Sequence, residues 1–550
     1  MFAKVQSRFV LIAIAAALIL HAATVKAAKL NCPKYQVEDS KEEIEYQKAL
    51  ADKFLGHPFR NDPFKLLDDR VAGLSESIGI PCDVLRYFLG ALFCYVLAIG
   101  HSLFLPENNV QLKHLYSLFW GLFLSYSCFG INTLLPLLSS LLVFFTCKTI
   151  GSYRYTPAIV FLLAMLFISL CHIYRLQIDY GGYTLDISGP QMVITIKLTQ
   201  FAWNVFDFGK TQNAKYKHRE RNSVDIKSVS MLEFLSFVFF FAGYLGGPAF
   251  EFQDYMRFTS NQMYKDETEK PNLLSRLYPA FIALGTSMVF LVIFQTVAQQ
   301  FNPFSLLCED IGQLPIYKQV LIIWLTVSLN RTKYYCVWNL ADGAFILSGF
   351  GYNGRDQSTG KIKWDRMVNA HYFKVEFGES VREAVNNWNL KTAYWLRVYS
   401  YERLQEGNYG TTIAMYVTMM ISAFWHGFYG GYYITFGFGA WAQSIGKSLR
   451  RTLRPIFENF DTGKTPFWYN TCGRILTALM LNFLTVSFMV ISIPNTLFIW
   501  RKASYIGIII MVGTQITLKL VSSTAWHREL NAKYKTVVME RKGMKKKKKE

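Results

Sequence analysis

Residues 413–436 read IAMYVTMMISAFWHGFYGGYYITF, an apolar and aromatic run of membrane-spanning length interrupted by one ionisable side chain, His426. No Asp, Glu, Lys, Arg or second His occurs from Gly407 to Gly446. A helix needs about 20 apolar residues to cross a bilayer core. An ionisable group inside such a segment is costly enough to suggest a function. The plain alternative is a histidine hydrogen-bonded into a helix bundle, and His101, His114 and His172 also lie near apolar segments. Both readings of His426 stand until its neighbours are considered.

Working outward, similar runs recur around Val84–Leu105, Leu115–Cys147, Pro157–Tyr174, Phe234–Gly247, Leu277–Val297, Val320–Leu329, Ile475–Trp500 and Tyr505–Val521. The 550-residue chain is 52% hydrophobic, 16% aromatic and only 17% charged, which excludes an ordinary soluble enzyme. An all-α polytopic membrane protein is predicted, with roughly eight to eleven spans plus re-entrant or interfacial helices. The stretch 186–207, DISGPQMVITIKLTQFAWNVFD, is less apolar, and Lys197 and Trp203 within it fit an amphipathic or cavity-lining helix.

A net charge of +20 raises the question of nucleic acid, but the basic residues gather in short loops at Lys210–Arg221, Lys447–Arg454 and Arg541–Lys549. Clusters of that kind beside spans fit cytosolic loops facing anionic lipid. At the other end, Lys4 and Arg8 precede the apolar core Phe9–Leu20, so residues 1–28 read as a signal peptide or signal anchor. The polar residues 29–78 would then lie in the lumen. Nine cysteines without CxxC spacing give no metal site, and Cys32 and Cys82 would pair only if both face an oxidising lumen.

Three constellations carry potential chemistry. Asn387-Trp388-Asn389 precedes the histidine run, and an amide such as that of Asn389 can orient a histidine or donate to an oxyanion. A helix cap is the bland reading of Asn389. Around His426, Gly427, Gly430 and Gly431 permit close backbone approach, while Trp425, Tyr432, Tyr433 and Phe436 would either line a lipid tunnel or anchor at the interface. The third is Arg331–Gly343 with Lys361, Lys363, Trp364, Asp365 and Arg366. Lys361, Lys363 and Arg366 would meet phosphates or form a solvated loop, and Tyr334, Tyr335 and Trp338 share helical spacing that core packing explains equally well.

On these residues the chain resembles the lysophospholipid acyltransferase branch of the membrane-bound O-acyltransferase (MBOAT) family. WHGFYGGYYITF fits the family pattern WHGxxxGYxxxF, and the blocks GPQMVITIKLTQFAWNVFD, YYCVWNLADGAFILSGFGYNG, KIKWDR and NNWNLKTAYWL agree in order and spacing. The similarity runs from about Gly79 to Leu520. It implies a multi-helix bundle enclosing a catalytic chamber, as a domain over residues 79–525 followed by a basic cytosolic tail over residues 526–550. It further implies an endoplasmic-reticulum enzyme that moves a fatty acyl group from acyl-CoA, a co-substrate, to a lysophospholipid without metal or other cofactor. His426 would be the active-site histidine and Asn389 its companion. Trp425, Tyr432, Tyr433, Tyr335, Trp338, Trp364 and Asp365 are expected to contact substrate, and a homodimer is an open expectation. Asp342 stands where relatives often have Glu, and Phe208 follows Asp207 where Gly is usual. The alternatives are another acceptor (sterol, diacylglycerol or protein) and a transporter in which His426 relays protons.

Two chance patterns are set aside. His57 to Asp62 satisfies the HxxxxD pattern of an unrelated acyltransferase family in a polar, Pro-broken segment. Asn330-Arg331-Thr332 spells a glycosylation sequon at the end of a span. The last residues, with Lys547 and Lys548, look like a dilysine retrieval signal.

Overall fold

A computed structural model describes residues 65–78, 82–182, 185–210, 217–265, 267 and 270–547. The signal-like segment, Cys32 and the HxxxxD stretch lie outside the described residues. Helices build the fold: α1 (Lys65–Ile78), α2 (Cys82–Phe104), α3 (Val110–Phe129), α4 (Leu134–Ile150), α5 (Thr156–Ile178), α6 (Ser188–Asp207), α7 (Met231–Val238), α8 (Phe252–Thr259), α9 (Leu274–Thr296) and α10 (Ile316–Ser348). They continue as α11 (Val381–Asn387), α12 (Leu390–Leu396), α13 (Thr411–His426), α14 (Gly430–Phe457), α15 (Phe467–Val490), α16 (Ile493–Lys502), α17 (Ile506–Ser523) and α18 (Ala525–Lys547), with short one-turn helices between. Among the described residues β-structure is limited to one antiparallel bridge, Arg355 to Ile362. The chain is an all-α, multi-pass membrane protein.

Six helical stretches among the described residues are long and apolar enough to cross a membrane: Cys82–Phe104, Val110–Ile150, Thr156–Ile178, Leu274–Thr296, Phe467–Val490 and Ile506–Ser523. Val110–Ile150 contains two helices, α3 and α4, and two other expected runs do not form single spans. The run at Phe234–Gly247 is not a span: α7 ends at Val238, and Phe237, Phe239, Phe240 and Phe241 are buried among other rings. The run at 411–438 is not one span either, because it breaks into α13 and α14 at Gly427, whose φ of 124° an L side chain rarely adopts. Polar groups belong to the inner helices. α10 carries buried Asn330, Arg331 and Asp342, and α6 carries Gln191, Lys197, Gln200 and Asn204.

α6 is the central element. Its Lys197 is buried, with Nζ donating to the Phe237 and Val238 carbonyls, both at 3.0 Å. These are orphan acceptors at the end of α7, where a cation is favoured. The same ammonium sits 4.0 Å from the Phe250 ring centroid, so Lys197 holds the aromatic core together rather than lining a cavity. Two tryptophans hang on α6. Trp395 Nε1 donates to Thr199 Oγ1 at 3.0 Å, and Trp425 Nε1 donates to the Met192 carbonyl at 2.9 Å. A bidentate pair of Arg403 with Asp207 closes its C-terminal end, with the guanidinium 4.0 Å from the Trp203 ring.

Among the cysteines, Cys82 carries a free thiol, and its conditional partner Cys32 lies outside the described residues. α1 forms a helix at the end of the polar stretch 29–78. Asn330 Nδ2 donates to the Phe301 and Thr326 carbonyls, both at 2.8 Å, which removes it from glycosylation.

Candidate active site

His426 is the last residue of α13, at the mouth of the turn that Gly427 permits. Rings surround it. Phe436 stacks on the imidazole with centroids 5.2 Å apart, Phe488 meets it edge-on at 5.0 Å, and Tyr432 lies at 5.9 Å. α14 can bring Tyr432 and Phe436 so close because Gly430 and Gly431 leave no side chain in the way. A β carbon on Gly431 would sit 2.1 Å from the Ser487 carbonyl oxygen of α15. The Gly431 N–H instead donates to the Ile491 carbonyl at 2.6 Å.

Asn389 comes from a different part of the chain. It is the N-cap of α12, in the left-handed conformation at φ 44° that Asn tolerates better than most residues. Its Oδ1 accepts from the Thr392 backbone N–H at 3.4 Å and from Asn369 Nδ2 at 3.1 Å. Two donors on one atom fix the amide orientation. The cap and the functional reading are thus compatible, since the oxygen serves the helix and the Nδ2 amide is left for other partners. Asn369 also receives the Leu390 N–H at its carbonyl (2.8 Å) and the Lys391 N–H at Oδ1 (3.1 Å), which binds the preceding loop to α12.

His426 and Asn389 line the same cavity, of about 880 Å³, large enough for a substantial organic ligand. Trp338, Trp425 and Tyr432 line it as expected, and so do His172, Arg175, Lys333 and Arg331. Trp338 packs against Trp388, 4.8 Å between centroids, directly before Asn389. Among the described residues no hydrogen bond or ion pair joins His426 to a carboxylate, and Asp186 is an acidic residue of the chamber lining. The arrangement is therefore a histidine and an amide facing a shared, mostly apolar chamber, with no acid bonded to the histidine as in a hydrolase triad.

Four expected contacts fall elsewhere. Tyr433 is one step round α14 from Tyr432 and does not line the chamber. Tyr335 is buried behind the wall, where its hydroxyl donates to Glu376 Oε1 at 2.7 Å. That carboxylate also receives Arg331 Nε at 2.9 Å, and Arg331 reaches Asn482 Oδ1 at 2.6 Å. Trp364 and Asp365 lie on a hairpin-like loop outside the cavity. Asp365 accepts from Asn353 Nδ2 at 2.8 Å, and Trp364 packs near Tyr352 and the Arg276 guanidinium. Arg366 on the same loop bonds the Tyr352 carbonyl and Asp254, so it is structural, while Lys361 is exposed. The missed lining residues include His172 and Arg175. The one signal for His172 was the signal that singled out His426, an ionisable group in an apolar run.

Comparison with known proteins identifies the family. Residues 138–491 match the model of MBOAT, the membrane-bound O-acyltransferase family. The chain belongs to the membrane-bound O-acyltransferase family. Within it, the chain is 32% identical over 451 residues to a lysophospholipid acyltransferase of Schizosaccharomyces pombe, covering 79% of this chain and 88% of that protein. It is 28% identical over 465 residues to human membrane-bound glycerophospholipid O-acyltransferase 2, covering 80% and 86%. A lysophospholipid acyltransferase of Saccharomyces cerevisiae is 29% identical over 473 residues, covering 81% and 75%. The family match includes both His426 and Asn389.

Proposed function

We propose that this O-acyltransferase moves a fatty acyl group from acyl-CoA to the free hydroxyl of a lysophospholipid within the chamber. The observation that carries the reading is the placement of His426 and the Asn389 amide on one apolar cavity. His426 takes the proton of the lipid hydroxyl as general base. The hydroxyl oxygen attacks the thioester carbonyl, and the carbonyl oxygen gains negative charge facing the Asn389 Nδ2 donor. Collapse re-forms the carbonyl and breaks the C–S bond. The leaving thiolate takes the proton from the imidazolium, so the products are phospholipid and free CoA. An activated thioester makes an acyl-enzyme unnecessary, and the reaction so written calls for no metal or redox cofactor.

The same proposal places the protein in the endoplasmic-reticulum membrane, with the basic loops and the Lys-rich end of α18 on the cytosolic side. A homodimer is the form to test by sedimentation of solubilised protein. The decisive experiment uses microsomes holding the full chain, labelled acyl-CoA and a panel of lysophospholipids, sterol and diacylglycerol. Acyl transfer to a lysophospholipid that His426→Ala abolishes, at unchanged abundance, is the expected result. Transfer only to a sterol or diacylglycerol, or solute flux without transfer, would overturn it.

A further inference from the structure

His172 lies on α5 and takes no part in the proton transfers written above. We propose that His172 is a positioning residue for this reaction: its Nε2–H, bonded to the Trp425 carbonyl, fixes the peptide link that carries His426. The inference rests on the proposed acyl transfer and adds a residue to it.

Three observations converge. His172 is buried, and its Nε2 stands 3.0 Å from the Trp425 carbonyl oxygen. A carbonyl only accepts, so Nε2 carries the hydrogen and the neutral ring keeps Nδ1 as an acceptor. That carbonyl belongs to the last turn of α13, where acceptors lack partners within the helix. The Gly427 N–H closes onto Ala423 and Phe424, at 3.2 and 3.1 Å, and leaves the Trp425 oxygen to His172. The same imidazole also touches the chain beyond His426. It lies 3.3 Å from where a β carbon of Gly427 would be, and it meets the Phe428 ring edge-on at 6.1 Å.

Trp425 is therefore held twice. Its indole is tied to α6 through the Met192 carbonyl, and its main chain is tied to α5 through His172. With both ends of that residue fixed, the backbone of His426 has one position relative to the chamber, and only the imidazole torsions remain free. Loss of the carbonyl tie lets the α13 end drift, and a displacement of the order of 1 Å at a reacting group lowers turnover about 100-fold.

Two variants of the full chain in microsomes separate the donor from the ring. His172→Gln brings an amide nitrogen close to the place of Nε2 and keeps the hydrogen bond. His172→Phe keeps the ring contacts with Gly427 and Phe428 and loses the donor. Expected is a fall in kcat of about 100-fold for His172→Phe, with KM for acyl-CoA and for the lysophospholipid unchanged, and near-normal kcat for His172→Gln. If His172→Phe does not accumulate, His172→Asn, whose amide stops short of the carbonyl, replaces it with the same expectation. Wild-type kcat in the donor-less variant, an equal fall in both variants, or a rise in either KM in place of a fall in kcat would overturn the positioning role. Absence of acyl transfer by the wild-type chain would instead overturn the proposed function, and is seen before any variant is made.

Discussion

Replacing Asn389 by Asp separates the two duties of that side chain. Its oxygen caps α12 and receives Asn369, at 3.4 and 3.1 Å. A carboxylate retains both acceptors, is as good an N-cap, and tolerates the left-handed backbone. What disappears is the Nδ2 donor. Removing one preorganised oxyanion donor costs about 2.7–4 kcal/mol, or roughly 10²–10³ in kcat, and a new negative charge facing the developing oxyanion deepens the loss. Asn389→Ala removes the donor and the cap together. Its cap loss of about 1 kcal/mol adds to the penalty of about 1–2 kcal/mol for a left-handed alanine, so this variant melts earlier as well as turning over slowly. Initial rates at saturating acyl-CoA and lysophospholipid, with thermal unfolding of the solubilised proteins, measure both effects. Wild-type kcat in Asn389→Asp would refute the donor role, and equal destabilisation by Asp and Ala would refute the division of labour within the amide.

Gly431→Ala places a β carbon 2.1 Å from the Ser487 oxygen, where real contacts are essentially never under 3.0 Å. α14 and α15 must part by nearly an ångström, and a loss of about 1–3 kcal/mol with a drop in kcat is expected in the same two assays. Glu376→Gln leaves the buried Arg331 guanidinium without its carboxylate. Breaking such a pair from one side costs about 3–5 kcal/mol, to be read as a lower melting temperature. Outside the membrane, hydrogen bonds from the Ser358 side chain and then the Thr359 and Ser358 amides hold the Asp356 carboxyl down to about 2. Because the folded-state value is depressed, the contribution to the loop is present above the ordinary aspartate range near 4 and is lost as pH falls through about 2. Hydrogen exchange at Ser358 and Thr359, corrected for intrinsic rates, should lose protection in that window, and Asp356→Asn should remove the dependence.

The helical, membrane-embedded architecture could be read from apolar runs because a bilayer demands internally bonded backbone over a set length. Reading failed where burial in protein imitates burial in lipid. The phenylalanines around Phe240 are as apolar as a span but pack on one another, and hydropathy does not distinguish the two surroundings. His426 and Asn389 were legible through local pattern, and Gly427 and Gly431 proved to be demanded by backbone geometry and helix contact. Tyr335 was misplaced because helical spacing gives a face without saying which neighbour covers it. Only tertiary structure puts Glu376 beside its hydroxyl. For the same reason His172 was weighed as an ordinary packed histidine: its partner carbonyl is a backbone atom, which no side-chain motif records.

Both segments that supply the candidate chemistry are tethered to one buried helix, α6, through Thr199 and Met192. A thinner or thicker bilayer changes the tilt of outer spans at a modest cost per ångström, yet both tryptophans follow α6 as it moves. Membrane mechanics should therefore alter how readily lipid enters and leaves, while the separation of base from oxyanion donor stays constant across membranes of different composition.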